Sequence, residues 1–360
     1  MSQTLAPTRT VPLAPTTATR WRRTLLGRDS AVVGLLVVVV IAASVLVPGF
    51  STSTTWYYLL LDVFPILLIA LPMTLVIIAA EIDLSVASML GLSSVIVGAL
   101  FEAGWSLPAA AVVALIVGAL GGWFNGFLIT SVGLPSLAVT IGTLALYRGI
   151  AVGILGTRAV TGFPDWAQQL VTNRIGPTGI PSMMVLFVVL AVLFWITLHA
   201  TAVGRVTYAA GLNAEAAQFA GARVGRLKVG LFIATGVMSA LAGVYWTLRY
   251  GTARGDNAVG LELSVVAAVL VGGVSIFGGR GGIIGVIAGV LLIGALRSAL
   301  RLADVSSDVI NVITGCLLIA TVIAPGLWTR FGEPLWRRLL STPSAPPDVP
   351  IRTEGKEVPR

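Results

Sequence analysis

The segment YYLLLDVFPILLIALPMTLVIIAA, residues 57–80, is almost wholly apolar. The hydrocarbon core of a bilayer is about 30 Å thick, and a helix needs roughly 20 apolar residues to cross it. A helix also satisfies its own backbone hydrogen bonds, which no irregular segment exposed to lipid can do. We therefore predict a transmembrane helix from about Tyr57 to Ala80.

The rest of the chain has the same character. Of its 360 residues, 56% are hydrophobic and only 11% are charged, and the mean hydropathy is +0.96. Soluble domains carry about 25% charged residues. This composition predicts an all-α, polytopic integral membrane protein with a single membrane domain and polar tails.

About ten transmembrane helices are expected from apolar segments of this kind. They are Ala31–Pro48, Tyr57–Ala80, Ala87–Phe101, Leu107–Thr130, Ser136–Leu155, Ser182–His199, Val229–Thr247, Leu263–Gly278, Ile283–Ser298 and Val309–Pro325. The membrane domain is predicted to cover residues 31–326. Residues 1–30 and 327–360 form the tails, and the first tail is expected to be disordered because it is rich in Thr, Pro and Ala without a helical period.

The distribution of Lys and Arg predicts the orientation. An even number of spans places both termini on one side, and most of the 23 Lys and Arg residues lie in the tails and in loop 201–228 on that side. By the positive-inside rule, both termini and both tails are cytoplasmic. Loop 201–228 is then the longest inner loop, and loop 156–182 is the longest outer loop.

Composition also excludes several functions. The net charge of +8 comes from basic residues placed between apolar segments, not from one basic, aromatic face, so no nucleic-acid partner is expected. The single cysteine, Cys316, and the single histidine, His199, lie in or at the end of apolar segments and are expected to be structural. We therefore predict no metal, no cofactor and no catalytic residue, and hence no enzyme.

The inner loop contains the sequence GLNAEAAQFAGARVGRLK, residues 211–228, which predicts a short helix. Asn213 is a favourable N-cap, Glu215 lies in the first turn where the helix dipole favours an anion, and Gly221 is a natural stop. The expected length is roughly eight residues, or about 12 Å.

This helix needs a partner surface, because two turns are not stable alone in water. Ala216, Phe219 and Ala220 are predicted to share one face, a flat strip with one aromatic side chain. The residues leave two alternatives open. The helix is either a connector that rests on its own bundle or a docking element for another protein.

Three charged residues interrupt the apolar segments. Glu81 and Asp83 lie in AAEIDLSVASMLGL, residues 79–92, where carboxylates mark a pathway, a gate or an ion pair. The simpler alternative is a tight inner turn in which Asp83 caps the next helix. Arg148, in GTLALYRGIAVG, needs either a carboxylate partner or a broken helix with free carbonyls.

Glycines recur in GALGGWFNG, residues 118–126, and in VGGVSIFGGRGGIIGVIAG, residues 271–289. The second stretch lacks the Lys-Ser/Thr ending and the strand–turn–helix setting of a phosphate-binding loop. We predict close helix packing around a tight inner turn at Arg280, and no ATP site in this chain.

Several of these motifs occur together and in order. EIDLSVAS, GLPSLAVTIGTLALYRGIA, GLNAEAAQFAGARVGRLK and LSVVAAVLVGGVSIFGGRGGIIG, with the ten-span layout, resemble the permease subunits of bacterial ABC importers for sugars, the ribose, rhamnose and autoinducer-2 group. The resemblance runs from about Ala31 to Pro325. The stretch ALPMTLVIIAAEIDLS, with Glu81 where many relatives have glycine, is more similar to the rhamnose-type branch.

The resemblance implies a multi-pass permease of the bacterial plasma membrane that works by alternating access. Two permease subunits, identical or different, would form the path through the lipid. Two ATPase subunits would dock from the cytoplasm, and a soluble binding protein would deliver the solute outside. The helix within residues 211–228 would be the coupling helix, and its residues expected to serve the ATPase contact are Asn213, Glu215, Ala216, Ala217, Phe219 and Gly221.

The remaining site residues follow from the same topology. Asp165 and Trp166, in the long polar outer loop, are predicted to contact the binding protein. Glu81, Asp83 and Arg148 are expected in the translocation path or its gate. The alternative is a secondary transporter for a small polar solute, driven by an ion gradient with these three residues as its relay.

Overall fold

A computed structural model describes residues 28–176 and 179–327 of the chain, and this part folds into helices joined by short loops. They are α1 (Arg28–Leu46), α2 (Ser53–Ile78), α3 (Val86–Glu102), α4 (Leu107–Thr130), α5 (Ser136–Leu155), α6 (Asp165–Thr172), α7 (Met183–Ala200), α8 (Ala202–Leu212), α9 (Ala214–Phe219), α10 (Val224–Tyr250), α11 (Leu261–Val271), α12 (Ile283–Leu302) and α13 (Ser307–Leu327). The predicted tails 1–30 and 327–360 lie almost wholly outside the described residues. All contacts discussed below lie within residues 28–318.

The all-helical, polytopic class is confirmed. Within the described ranges, six helices are long and apolar enough to cross a membrane, namely α2, α4, α5, α7, α10 and α12. Each of the other four predicted spans also contains a helix. The count of ten spans and the cytoplasmic placement of both termini stay predictions.

Helix α2 is the centre of the bundle, and nearly all of its residues from Tyr57 onward are buried. It contains two prolines, Pro65 and Pro72. A proline has no N–H for the carbonyl four residues earlier. The carbonyl of Leu61, freed by Pro65, instead accepts a hydrogen bond from the Tyr245 hydroxyl of α10 at 2.8 Å. This bond joins α2 to α10 at the point where Pro65 interrupts the backbone hydrogen bonds of α2.

The first glycine-rich stretch packs two helices closely, as predicted. Gly118 and Gly122 on α4 face Gly236 and Phe232 on α10. A Cβ atom added to Gly118 would lie only 2.5 Å from the Gly236 carbonyl oxygen, so the two backbones are in direct contact. Small residues permit such approach between membrane helices.

The second glycine-rich stretch differs from the predicted span Leu263–Gly278. Helix α11 ends at Val271 and is followed by a turn in which the Ser275 N–H donates to the Arg280 carbonyl at 3.0 Å. Eleven residues make a helix about 16 Å long, too short to cross the membrane alone. The apolar run continued past the helix because Gly272 and Gly273, which end it, do not interrupt a hydropathy pattern.

Candidate functional site at the two ends of helix α2

The polar features of the chain gather at the two ends of α2. This helix has 26 residues and is therefore about 39 Å long. Near its start, the Tyr57 hydroxyl donates to the Thr172 carbonyl of α6 at 2.5 Å. At its end, the Ile78 carbonyl accepts from the Gly279 N–H at 2.8 Å. The predicted outer loop 156–182 and the predicted inner turn around Arg280 thus lie at opposite ends of one buried helix.

The short helix of the inner loop is α9, with six residues instead of eight. The Asn213 side-chain oxygen accepts a hydrogen bond from the Ala216 N–H at 2.9 Å, so the predicted N-cap is confirmed. Glu215 lies in the first turn. Gly221 follows the helix with a φ of +86°, a left-handed conformation that glycine adopts without strain.

The two faces of α9 have different surroundings. Ala217 is 6% exposed and packs in a small apolar cluster with Ala210 and Val224. Ala216 is exposed, and Phe219 is 91% exposed. The prediction of Ala217 as part of the face open to a partner therefore needs correction, because this side chain points into its own bundle. The helix rests on the bundle through one face and leaves Phe219 in solvent.

Helix α8, which precedes α9, packs closely against the end of α2. The Gly211 Cα packs directly on the Ile78 carbonyl, and any Cβ there would collide with it and with the Gly279 N–H. The Tyr208 hydroxyl also donates to the Gly281 carbonyl at 2.7 Å. These contacts join α8, the end of α2 and the turn after α11 into one unit.

Glu81 forms an ion pair with Lys228 of α10. The side chains are 12% and 19% exposed, so the pair is largely removed from water. An ion pair was one of the roles that the sequence left open for Glu81, but the sequence did not identify its partner Lys228, which lies 147 residues away. The pair ties the loop after α2 to the first turns of α10, just beyond α9.

Asp83 is buried in the same loop and has several donors. Its Oδ1 accepts from the Ser85 N–H at 3.0 Å and the Ser85 hydroxyl at 2.6 Å, and its Oδ2 accepts from the Thr235 hydroxyl at 2.7 Å. The Asn125 amide of α4 donates to the Ser85 hydroxyl at 2.9 Å. The predicted cap is wrong, because the N-cap of α3 is Ser85 and Asp83 accepts no hydrogen bond from a first-turn N–H of that helix. Asp83 instead orders the turn before α3, and this structural role is favoured over a proton relay because its oxygens are already bonded to protein donors.

Arg148 binds free backbone carbonyls, the second alternative that the sequence left open. Its Nη1 donates to the Gly255 and Asn257 carbonyls at 2.7 Å each, and its Nη2 donates to the Ala87 carbonyl at 3.3 Å. Arg148 thus holds the loop between α10 and α11 against the start of α3.

That loop, residues 251–260, is also fixed by other contacts. An isolated β-bridge joins Ala253 to Val160, and the Asn257 amide donates to the Ser94 hydroxyl at 3.0 Å. Arg254 hydrogen-bonds Asp256 at 2.8 Å and thereby lowers the pKa of that carboxyl. The loop is therefore an ordered part of the bundle.

The outer-loop residues lie on helix α6. Ala167 and Val171 are buried, whereas Asp165, Trp166 and Leu170 are exposed. The helix is thus anchored by one face and presents the predicted pair, Asp165 and Trp166, on the other. Nearby, the Arg174 guanidinium lies 4.1 Å from the centroid of the Tyr57 ring, a cation–π contact that fixes the loop on α2.

A cleft that the sequence did not predict opens near the start of α2. We call it the α2–α12 cleft; its volume is about 620 Å³, and its walls come from α2, α10, α11 and α12. Asp62, Arg297 and Arg301 line it together with Tyr58, Trp246 and Tyr250. The sequence indicates this cleft only through two charged residues that lie within predicted spans, Asp62 in Tyr57–Ala80 and Arg297 in Ile283–Ser298. Among the described residues, no cluster of His, Cys, Asp and Glu could hold a metal ion.

Comparison with known proteins gives a consistent result. The family model described as "Branched-chain amino acid transport system / permease component" matches residues 55–322. The chain is 33% identical to the autoinducer 2 import system permease protein LsrD of Klebsiella pneumoniae subsp. pneumoniae over 327 residues, 88% of this chain and 97% of the relative. It is 32% identical to LsrD of Salmonella typhimurium over 84% of this chain and 92% of that protein. No solved structure gives a significant match.

Proposed function

The chain belongs to the family of branched-chain amino acid transport system permease components, and from this premise we propose that it imports a small polyhydroxylated solute of the autoinducer-2 type. It is the permease subunit of an ABC importer, a multi-pass protein of the bacterial inner membrane, and a transport component, not an enzyme. Such permeases work with ATPase and solute-binding partners.

The proposed solute rests on one observation. The chain covers 97% of an autoinducer 2 import permease at 33% identity, so the whole path through the membrane has a counterpart in that relative. We therefore place autoinducer-2 ahead of the rhamnose-type sugar that the Glu81 motif suggested. Both are small and rich in hydroxyl groups.

We propose that α9 docks into the ATPase. Burial of a phenylalanine side chain stabilises a protein by about 1.5–3 kcal/mol. Phe219 is 91% exposed although its helix is packed on the bundle, so a partner that covered this side chain would gain that stabilisation. Ala216 beside it leaves room for a partner surface. Asn213, Glu215 and Gly221 shape the ends of the helix, while Ala217 supports it from the bundle side.

The inner end of α2 is proposed to carry movement from α9 into the membrane. Gly211 and Gly279 are in direct backbone contact with the end of α2, so α8 cannot move relative to α2 without breaking these contacts. The Glu81–Lys228 pair adds α10 to the same unit. A push on α9 would then displace the ends of α2 and α10 together, as a rigid body.

The outer partner and the assembly are further parts of the proposal. Asp165 and Trp166 are proposed to contact the binding protein, which requires that α6 face outward and that both termini be cytoplasmic. A second permease subunit, identical or different, would complete the path. The membrane domain is proposed to cover residues 31–326, with residues 1–30 and 327–360 as cytoplasmic tails.

The ion-coupled alternative receives less support from the charged residues it would use. Glu81 is paired with Lys228, Asp83 accepts from Ser85 and Thr235, and Arg148 binds backbone carbonyls. A relay needs groups that exchange protons or ions with a water path. All three groups have protein partners in this conformation.

Uptake by proteoliposomes tests the function. The permease would be reconstituted with the ATPase, binding protein and any second permease encoded beside it, and labelled autoinducer-2, L-rhamnose and D-ribose would be supplied outside. We expect uptake of autoinducer-2 that needs ATP and the ATPase. Uptake that needs a proton or sodium gradient and no ATPase would establish the ion-coupled alternative instead.

A further inference from the structure

The α2–α12 cleft combines charge, hydroxyl groups and aromatic rings in one concave surface. Its volume of about 620 Å³ falls in the range of small-molecule sites, roughly 300–1,000 Å³. It lies at the α6 end of the bundle, since α2 begins there and the last turns of α10 and α12 form the opposite wall. The cleft therefore lies at the end of the bundle where α6 is proposed to contact the binding protein.

The charged groups in the cleft are accessible. Asp62 and Arg301 lie 3.4 Å apart, and their side chains are 41% and 70% exposed. Arg297 is held on the wall by the Thr314 and Ser264 hydroxyls at 3.4 and 3.2 Å. Guanidinium groups only donate hydrogen bonds, and a carboxylate only accepts them. The wall therefore offers more donors than acceptors, which suits a solute rich in hydroxyl or carbonyl oxygens.

Aromatic rings form the other wall. Trp246 and Tyr250 have ring centroids 4.9 Å apart, and Tyr58 faces the same space. The Arg249 guanidinium lies 5.8 Å from the Tyr58 centroid and 5.5 Å from that of Tyr250. Its Nε is buried and has no hydrogen-bond partner in the described part of the chain. Flat apolar faces beside a few fixed polar groups are typical of sites that orient a small ligand.

A lipid chain is a poor occupant for this cleft. A carboxylate and two guanidinium groups within an acyl environment would be expensive. They are well solvated beside water and polar solutes.

We propose that the α2–α12 cleft is the site where the permease first binds its small polyhydroxylated solute, through Asp62, Arg297 and Arg301 against the rings of Tyr58, Trp246 and Tyr250. This inference rests on the proposed import function and adds the residues that meet the solute. The cleft is a weak site, because solute must also leave it during transport.

A matched pair of variants tests the cleft by transport. Asp62→Asn removes the carboxylate from the cleft. Glu102→Gln makes the same change in the exposed Glu102–Arg158 pair, which also spans 3.4 Å but lies outside the cleft. With the complete importer in proteoliposomes and the binding protein saturated with autoinducer-2, we expect Asp62→Asn to lower the maximal rate of ATP-driven uptake about tenfold. Glu102→Gln should change it by less than about twofold. Equal values for the two variants would overturn the proposal.

A labelling measurement tests the cleft without transport. Ser298 lines the cleft, and Cys316 is the single cysteine, so Ser298→Cys in a Cys316→Ser background carries one thiol in the cleft. We expect autoinducer-2, L-rhamnose or D-ribose, but not choline chloride, to slow its reaction with a small charged thiol reagent. Glu102→Cys in the same background should show no protection, and an absence of protection at Ser298→Cys would refute the cleft. If protection occurs but no sugar is imported with ATP, the cleft stands and the import function fails.

Discussion

The two ends of helix α2 differ in how they are packed. At its start, Asp62 forms an exposed ion pair with Arg301 beside an open cleft. At its end, the Ile78 carbonyl is in direct contact with Gly211, and Glu81 forms a largely buried ion pair with Lys228. A region that binds and releases a solute needs accessible groups, whereas a region that transmits movement needs close, rigid packing. We infer that the same helix serves both needs, one at each end.

The largest expected effect comes from adding one methyl group at the tightly packed end. Gly211→Ala forces a Cβ against the Ile78 carbonyl, and overpacking of this kind costs about 1–3 kcal/mol, or more when the neighbour is backbone. Gly230→Ala on α10 is the matched control, because no atom lies within 4 Å of its added Cβ. We expect Gly211→Ala to lower the thermal unfolding midpoint of the purified permease and abolish ATP-driven uptake. Equal unfolding midpoints and equal uptake for the two variants would show that α8 and α2 are not closely packed at Gly211.

The second prediction compares the two ion pairs. Glu81→Gln leaves the Lys228 ammonium unpaired in a site largely closed to water, which should lower the free energy of unfolding by about 3 kcal/mol. Asp62→Asn breaks an exposed pair and should lower it by less than about 1 kcal/mol. The double variant Glu81→Gln, Lys228→Gln should recover part of the loss. Equal destabilisation by the two single changes would remove the distinction between the ends.

Phe219→Ala addresses the contact proposed for α9. Because Phe219 is 91% exposed, its loss should leave the stability of the permease unchanged. A central aromatic residue of an interface contributes about 2 kcal/mol or more, so co-purified ATPase should fall more than about tenfold. Trp166→Ala, at the other end of the bundle, is the control and should retain the ATPase. Full ATPase recovery and uptake with Phe219→Ala would make α9 a connector only.

The smallest expected effect is at α6. Replacing Asp165 and Trp166 together by alanine should reduce the stimulation of ATP hydrolysis by the binding protein roughly fivefold, since rim contacts each contribute about 1 kcal/mol or less. Phe219→Ala serves as the reciprocal control, because it should not change how the binding protein associates with the permease. Unchanged stimulation in the double variant would remove α6 from this interface.

Local features of the fold could be predicted from the sequence. The cap of α9 by Asn213, its end before Gly221 and the close packing of the residues 118–126 segment are all present. Each depends on residues near one another in the chain or on a property of glycine itself. The apolar segments located the helices for the same reason, because length and hydropathy are local quantities.

Features that depend on tertiary contacts could not be predicted. The inward direction of Ala217 is set by Ala210 and Val224, and a six-residue helix is too short for its own pattern to identify a buried face. The partner of Glu81 is distant in the chain, and the α2–α12 cleft is assembled from four helices. Periodicity in one segment carries no information on which other segment it meets.

The central claim is that the cleft at the start of α2 binds solute outside the cell, and that α9, next to the end of α2, binds the ATPase inside. Side-specific labelling of single cysteines tests this most directly. Ser298→Cys and Phe219→Cys, each in the Cys316→Ser background, would be treated with a membrane-impermeant thiol reagent in right-side-out vesicles. The account predicts that Ser298→Cys reacts in intact vesicles and that Phe219→Cys reacts only after the membrane is opened. The reverse pattern, or reaction of both in intact vesicles, would contradict it.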